Sequence, residues 1–239
     1  MQLTCELHRR PTSEMLWRFL NLELKSRGRR LLRRVGVGRP GAIRRADVAP
    51  PDSALATRAD ALVRSLSPDY LYNHCLRTYA FGVAIGRHRQ LRWDHELFFI
   101  AAALHDLGLT EAHAGPGSFE LEGARAARAF GVDSGMSAER CDLLHEAIAL
   151  HTSVGVAHLR EPEIALVHLG AGMDVIGVAA EDIDAATVAD ILDIWPREGF
   201  KERFVGLLER EVAAKPESSI AGHMRLGFAA RVRRAPFAE

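Results

Sequence analysis

The chain has 239 residues, of which 48% are hydrophobic and 26% charged, and this is long enough to bury a substantial core. The composition excludes a wholly disordered chain, a collagen and a small disulfide-stabilised protein. Lys and Arg together number 31, as do Asp and Glu, so the chain as a whole gives no electrostatic reason to bind nucleic acid or an anionic membrane.

The charge is unevenly distributed along the chain. Residues 1–50 contain 12 Lys and Arg against 4 Asp and Glu, a net charge of +8, which leaves −8 on residues 51–239. Residues 36–52 are rich in Gly and Pro and predict a linker. We therefore expect a basic N-terminal extension with its linker at 1–50 and a helical domain at 51–239. Three interpretations of the extension stay open: docking on the acidic body, contact with an anionic membrane surface or nucleic acid, and a dispensable segment.

The cysteines and the apolar runs indicate the compartment. The three cysteines are widely spaced, without a CxxC pair, which favours a reducing environment. The longest apolar run, Leu97 to Leu104, is far shorter than a membrane span. We expect a cytosolic protein with no transmembrane segment.

From Ser53 onward the apolar residues recur with helical spacing, and no segment alternates with the period of a strand. The sequence predicts an all-α fold. The first four helices are expected from the start signal Ser67-Pro68-Asp69 to about His88, from Asp94 to Gly108, from Ser118 to Gly131 and from Ser137 through His151. Three more are expected from Pro162 to Asp174 or slightly beyond, from Ala185 to Ile194 and from Phe200 to Ala214. A C-terminal segment closed by Pro236 follows them.

Four polar residues on apolar helices are the candidates for chemistry. His105 and Asp106 end a helix that is apolar almost all round, while His74 and Asp174 each stand alone among apolar neighbours. A buried carboxylate needs a cation, a metal or a raised pKa. Two imidazoles and two carboxylates suit a divalent transition metal with positions left open for water. A hydrogen-bonded core histidine at His74, and a helix-end or salt-bridge role for Asp174, are the alternatives.

The order of these residues resembles a known family. His74, then His105-Asp106, then Asp174 on successive helices looks like the HD superfamily of metal-dependent hydrolases, over about residues 50 to 230. The strings NHCLRTYAFG, LHDLGLT, SFELEGARAA, AIALHTSVG and ALVHLGAGMDVIG look more specifically like its cyanamide-hydratase-like branch. Members of that branch add water to a small nitrile-type substrate and give a urea-type product. The resemblance implies an HD-type helical bundle.

The resemblance also implies a ligand set and a metal. His74, His105, Asp106 and Asp174 would bind a divalent ion, either Zn, Fe or Mn. Two-metal relatives carry a histidine three residues before a helix glycine, where this chain has Glu120. That difference favours one metal ion over two.

Further residues are candidates for catalysis and substrate binding. Asp106 would be both a ligand and an acceptor for the reacting water, and either Glu120 or His151 would relay a proton. Arg77 lies three residues after His74, on nearly the same helix face, and is a candidate substrate anchor together with Thr152. A surface arginine at Arg77 and a helix-terminal cation at His151 are the alternatives.

The leading functional hypothesis is a single-metal hydratase or hydrolase that acts on a small polar molecule. An HD-type phosphohydrolase acting on a nucleotide or phosphate ester, a two-iron oxygenase of the HD fold, and a non-catalytic binding module remain alternatives. The expected partner is a small-molecule substrate, and a homo-oligomer is left open. His168 and His223 show no partner in the sequence.

Overall fold

The computed structural model describes residues 42–239 together with Trp17, Leu24, Gly28 and Leu31. The rest of the predicted basic extension, and the three interpretations of it, lie outside the described residues. Within residues 42–239 the chain forms ten α-helices and no strand. The prediction of an all-α helical bundle is confirmed.

The ten helices are numbered here in chain order: α1 Ala54–Leu66, α2 Asp69–His88, α3 His95–Leu104, α4 Phe119–Asp133, α5 Ala138–Ala149, α6 Pro162–Ile176, α7 Ala185–Ile194, α8 Phe200–Ala214, α9 Ser219–Arg225 and α10 Phe228–Arg233. Short 3₁₀ turns lie at Arg45–Val48, Leu107–Leu109, Ala157–Leu159 and Ala180–Asp182.

Side-chain caps begin several of these helices. Ser53, Asp94 and Ser137 accept hydrogen bonds from backbone N–H groups in the first turns of α1, α3 and α5, and Asp184 does the same for α7. The predicted bounds of α7 and α8 are confirmed.

Other boundaries differ from the predictions. Pro68, rather than Ser67, is the N-cap residue of α2. α3 ends at Leu104 rather than Gly108, because the chain leaves the α-helix at His105 and enters a 3₁₀ turn. α4 continues two residues past Gly131, and α5 ends at Ala149, before His151. The early end of α3 leaves His105 as its C-cap residue and Asp106 just before the 3₁₀ turn.

α2, α3 and α6 form the centre of the bundle. Every residue from Leu97 to Leu104 in α3 is at most 2% exposed. α2 and α6 approach very closely, since a Cβ atom on Gly170 would lie 2.1 Å from the carbonyl oxygen of Thr78. This close packing brings the first half of α2 next to the end of α6.

The described part of the predicted linker packs on the body. The backbone N–H of Ile43 donates to Thr187 Oγ1 at 3.2 Å, and Val48 is 2% exposed. Arg87 of α2 forms an ion pair with Asp47 at 3.0 Å. Residues 43–48 therefore belong to the packed structure.

Two further features concern the cysteines and the helices. Cys75 and Cys141 are free thiols in the interior. Of the helices in the described part of the chain, none has the combination of length and apolar character that crossing a bilayer requires.

Candidate metal centre

Three side chains from two parts of the chain meet in the interior. His74 lies in the second turn of α2, and His105 and Asp106 follow the end of α3. The Nε2 atoms of His74 and His105 are 3.2 Å apart, and each is 3.4 Å from Oδ2 of Asp106. All three side chains are at most 2% exposed. In residues 42–239 no other group of three His, Cys, Asp or Glu side chains brings its ligand atoms this close together.

The hydrogen bonds assign the tautomers of both histidines. Nδ1 of His74 is 2.7 Å from Oδ2 of Asp174, and Nδ1 of His105 is 2.8 Å from the carbonyl oxygen of Ala102. Because these oxygens accept, both Nδ1 atoms carry the hydrogen, and in the form that binds a metal each Nε2 atom carries a lone pair. Oδ2 of Asp106 has no hydrogen-bond partner among the described residues. Three acceptors therefore converge with no donor between them.

Burial favours the protonation state of a metal ligand at His105 and opposes it at Asp106. Burial and the neighbouring His74 lower the pKa of His105 to about 3, so its imidazole is neutral at pH 7. Burial raises the pKa of Asp106, an effect that His74 and His151 oppose. A bound cation would stabilise the carboxylate and the facing lone pairs together. The donor set, two imidazole nitrogens and a carboxylate oxygen, fits a divalent transition metal.

Asp174 contacts His74 on the side of the ring that carries Nδ1. The partners of its carboxylate in the structure are three side chains. Its carboxylate accepts from Nδ1 of His74, from Nε and Nη2 of Arg77 at 2.8 and 2.9 Å, and from Nη1 of Arg197 at 2.7 Å. Burial alone would raise the pKa of Asp174, but Arg77, His74 and Arg197 hold it well below its usual range. Asp174 therefore lies outside the group of three close ligand atoms and pairs with two arginines, while its expected role as a metal ligand stays a prediction.

Arg77 belongs to the same hydrogen-bond network around Asp174. Its remaining donor, Nη1, bonds to the carbonyl oxygens of Trp195 and Pro196 at 3.1 and 2.9 Å. The side chain is fully buried and is absent from the described cavity wall. This position differs from the substrate contact expected for Arg77, since its donors hold Asp174 and the loop after α7.

His151 faces the cluster from its other side. Its Nε2 is 3.7 Å from Oδ1 of Asp106, and its Nδ1 is 2.7 Å from the carbonyl oxygen of Ile148. Nδ1 therefore carries the hydrogen, and Nε2 is an acceptor. Burial and His105 lower the pKa of His151 to about 3, which leaves a neutral base beside Asp106 at pH 7.

Buried Glu120 forms a separate pair with the partly buried Thr152. The Thr152 hydroxyl donates to Oε1 of Glu120 at 2.8 Å, and Oε2 of Glu120 has no hydrogen-bond partner in the described part of the chain. Burial raises the pKa of Glu120. Thr152 lines the cavity beside the cluster. Glu120 therefore contacts a residue of the cavity wall through this hydrogen bond.

A cavity of about 70 Å³ opens from the cluster. His74, His105, Asp106 and His151 form one end of it, and apolar side chains form most of the remaining wall. Its described lining residues outside these four are Phe119, Thr152, Val154, His168, Ala171, Gly172, Val175, Ile176, Val178, Phe204, Leu208, Ile220, His223 and Phe228.

Two of these lining residues were not found from the sequence. Nδ1 of His168 donates to the carbonyl oxygen of His151 at 2.7 Å. Burial lowers the pKa of His168, which favours the neutral ring, in which Nε2 is an acceptor. His223 comes from α9. The sequence did hold a signal for His168, because Ala171 and Val175 lie three and seven residues further along and share its helix face. For His223 the sequence holds no such signal.

Comparison with known proteins connects this site with an enzyme. No family model matches the chain. The chain is 29% identical over 182 residues to two curated proteins of Saccharomyces cerevisiae, cyanamide hydratase DDI2 and cyanamide hydratase DDI3. In each case the alignment covers 72% of this chain and 79% of the relative. The chain is therefore a distant homologue of these two hydratases, and its own buried His-His-Asp cluster fits a metal site.

Proposed function

We propose that this chain is a single-metal hydratase of the HD superfamily that adds water to a small nitrile-type molecule such as cyanamide. The observation that carries the proposal is the convergence of the two Nε2 lone pairs of His74 and His105 on Oδ2 of Asp106, without a donor. The similarity to the two yeast cyanamide hydratases supports the choice of reaction.

In this proposal His74, His105 and Asp106 hold one divalent ion, Zn, Fe or Mn. Such an ion, when bound, lowers the pKa of water and polarises the electrophile. Asp174 is a positioning residue, because its bond to Nδ1 of His74 directs Nε2 toward the cluster.

His151 is the proposed proton carrier. Its neutral Nε2, next to Asp106, accepts a proton as the water oxygen bonds to the nitrile carbon, and it returns a proton to the nitrile nitrogen. The result is a urea-type product with all atoms of water incorporated. Glu120 fixes the orientation of the Thr152 hydroxyl, and His168 offers Nε2 as an acceptor for a substrate N–H.

The cavity wall favours an uncharged substrate. The described lining residues include no Lys and no Arg, while the nearby Arg77 and Arg197 are paired with Asp174. Binding of a phosphate ester ordinarily uses such cations. The two-iron alternative gains no support either, since the part of the chain described here holds one cluster of close ligand atoms.

The experiment that tests the proposal combines metal content with product formation. The protein is purified without chelator, its metal is measured by mass spectrometry, and urea formed from cyanamide is followed. We expect about one equivalent of metal and steady production of urea. His74→Ala should lose both, whereas His88→Ala, a matched change at a partly exposed histidine of the same helix, should lose neither. Full metal content without urea, especially with release of phosphate from an ester, would favour the phosphohydrolase.

A further inference from the structure

Residues 235–239 pack across the end of α6, the helix that carries Asp174. Within this segment Ala235 and Phe237 are each 6% exposed. A Cβ atom on Gly177, the C-cap residue of α6, would lie 2.8 Å from Cδ of Pro236. Gly177 follows Asp174 by only three residues. The segment therefore covers the part of α6 from which the partner of His74 comes.

Arg197 joins this segment to the ion network around Asp174. Its Nε donates to Oε1 of Glu239 at 3.0 Å, and its Nη1 donates to Oδ1 of Asp174 at 2.7 Å. The side chain of Arg197 is only 2% exposed. Asp174 accepts from Nδ1 of His74 and also pairs with Arg77. Without Glu239, two buried guanidinium groups would share one carboxylate.

A second set of contacts follows the same route through aromatic rings. The guanidinium carbon of Arg197 lies 5.1 Å from the ring centre of Phe237 and 4.8 Å from that of Phe200, distances at which an arginine is attracted to a ring face. The ring of Phe200 in turn stacks on the imidazole of His74, with 4.9 Å between the ring centres. Arg197 therefore contacts both groups that hold His74, the carboxylate at Nδ1 and the ring on its face.

Resting on the metal site of the proposed function, we infer that Phe237 and Glu239 are positioning residues for the ligand His74. They hold Arg197, and Arg197 holds Asp174 and Phe200 against the imidazole. Neither Phe237 nor Glu239 is among the described residues that line the cavity, so they act through His74. Packing of residues 235–239 and binding of the metal are then coupled, and such coupling is reciprocal.

The first arm of the test measures the affinity of the full chain for Zn²⁺ alone. Metal-depleted protein is titrated with Zn²⁺ in competition with a chelator, and its Tm is recorded alongside. Glu239→Gln removes the charge that pairs with Arg197, and Phe237→Leu removes the ring. We expect each change to weaken Zn²⁺ binding by about 5- to 20-fold, within the usual range for two coupled sites.

Two matched variants make similar changes away from His74. Glu202→Gln removes a carboxylate that accepts from Arg233 at 2.9 Å, and Phe130→Leu removes a ring whose centre lies 5.7 Å from the guanidinium carbon of Arg58. Both should keep the wild-type affinity for Zn²⁺. If Glu239→Gln and Phe237→Leu lower Tm but also keep that affinity, their role is structural only and the inference is overturned.

The second arm uses the reciprocity of the coupling. The backbone N–H of Lys201 lies in the first turn of α8, where the helix offers no acceptor, and it donates to Oε2 of Glu239 at 3.0 Å. Its hydrogen exchange, followed by NMR, reports how firmly residues 235–239 are packed. Zn²⁺ should slow this exchange by about the factor that Glu239→Gln costs in affinity. The N–H of Arg140, which donates to Ser137 at the start of α5, should not respond. An exchange rate at Lys201 that Zn²⁺ leaves unchanged would contradict the coupling.

Urea formation from cyanamide, measured on the same samples, separates this inference from the proposed function. Weaker Zn²⁺ binding in Glu239→Gln and Phe237→Leu, without urea from the wild type, would uphold the inference and overturn the hydratase. Urea formation with equal Zn²⁺ affinity in the wild type and every variant would do the reverse. A wild-type protein that binds no Zn²⁺ would overturn the inference, whether or not urea is formed.

Discussion

Nδ1 of His74 and Oδ2 of Asp174 lie 2.7 Å apart, on two helices that are in close contact. The same carboxylate pairs with Arg77 and Arg197, so one ion network fixes the ring whose other nitrogen faces His105. The orientation of the proposed metal ligand therefore depends on residues that do not touch the cavity.

Replacing Asp174 tests this dependence. Asp174→Asn leaves Arg77 and Arg197 facing an amide, and loss of one member of a buried ion pair costs about 3–5 kcal/mol. We expect a lower free energy of unfolding in urea and metal affinity reduced by about 10- to 100-fold. Asp193→Asn, at a side chain that is 74% exposed, should stay within about 0.5 kcal/mol of the wild type. Complete loss of metal with unchanged stability would instead make Asp174 a direct ligand.

Asp106 and His151 should separate metal binding from turnover. Asp106→Ala removes the carboxylate on which both Nε2 atoms converge, so metal and activity should be lost together. His151→Ala keeps the three proposed ligands, and we expect it to retain metal while kcat falls by about 10²- to 10⁴-fold, the usual contribution of a proton carrier. Metal analysis and urea formation check both. A His151→Ala enzyme with the wild-type rate would remove His151 from the chemistry.

His168 should recognise a substrate N–H. Cyanamide has two N–H bonds and dimethylcyanamide has none, so a comparison of their kcat/KM values reports the contact with Nε2. In His168→Phe, which keeps a ring but has no acceptor, we expect the preference for cyanamide to fall by about fivefold, the value of one ordinary hydrogen bond. His168→Gln, whose amide oxygen accepts, should restore part of the preference. An equal loss of rate on both substrates would indicate a structural role only.

The metal-free protein should lose stability in mild acid. Burial, with His168 and Arg231, lowers the pKa of His223 from 6.5 to about 4. Between those pH values the unfolded chain takes up a proton that the folded chain does not, so unfolding becomes more favourable as the pH falls. This one group contributes a slope of up to about 1.4 kcal/mol per pH unit. Urea unfolding in the presence of chelator, from pH 7 to pH 4.5, measures the slope. His223→Asn should reduce it, and an unchanged slope would contradict the assignment.

The close packing of α2 and α6 predicts a sharp response at Gly170. A Cβ atom there would lie 2.1 Å from the carbonyl oxygen of Thr78, so Gly170→Ala must force the helices apart. We expect a loss of roughly 1–3 kcal/mol in stability and weaker metal binding, since His74 and Asp174 lie on these two helices. Gly206→Ala in α8, where a Cβ atom would approach only the end of the Arg210 side chain, at 3.8 Å, should be neutral or stabilising by roughly 0.5–1 kcal/mol. Thermal and urea unfolding of both variants check this.

Much of the fold could be predicted because it depends on local signals. The apolar period placed α7 and α8 at the observed residues, and Asp94 and Ser137 cap their helices as expected. The end of α3 could not be read from Gly108, because the chain leaves the helix earlier, at His105. Glycine often follows a helix end but does not fix the last helical residue, so Gly108 alone could not place the end of α3 at Leu104.

The candidate site was predicted less completely than the fold. The sequence singled out His74, His105 and Asp106, which meet in the structure. It did not show that Arg197, in the loop after α7, pairs with Asp174, because an ion pair between distant segments leaves no local pattern. For the same reason it did not show that Arg77, a candidate substrate anchor, bonds to Asp174 and to the carbonyl oxygens of Trp195 and Pro196.

The last two helices, α9 and α10, supply Ile220, His223 and Phe228 to the cavity wall, whereas the three clustered ligand residues precede α4. During synthesis on the ribosome, the three proposed ligand residues thus emerge well before this last part of the cavity wall. A nascent chain halted before residue 219 would carry the proposed ligand residues but would lack the part of the wall that α9 and α10 supply.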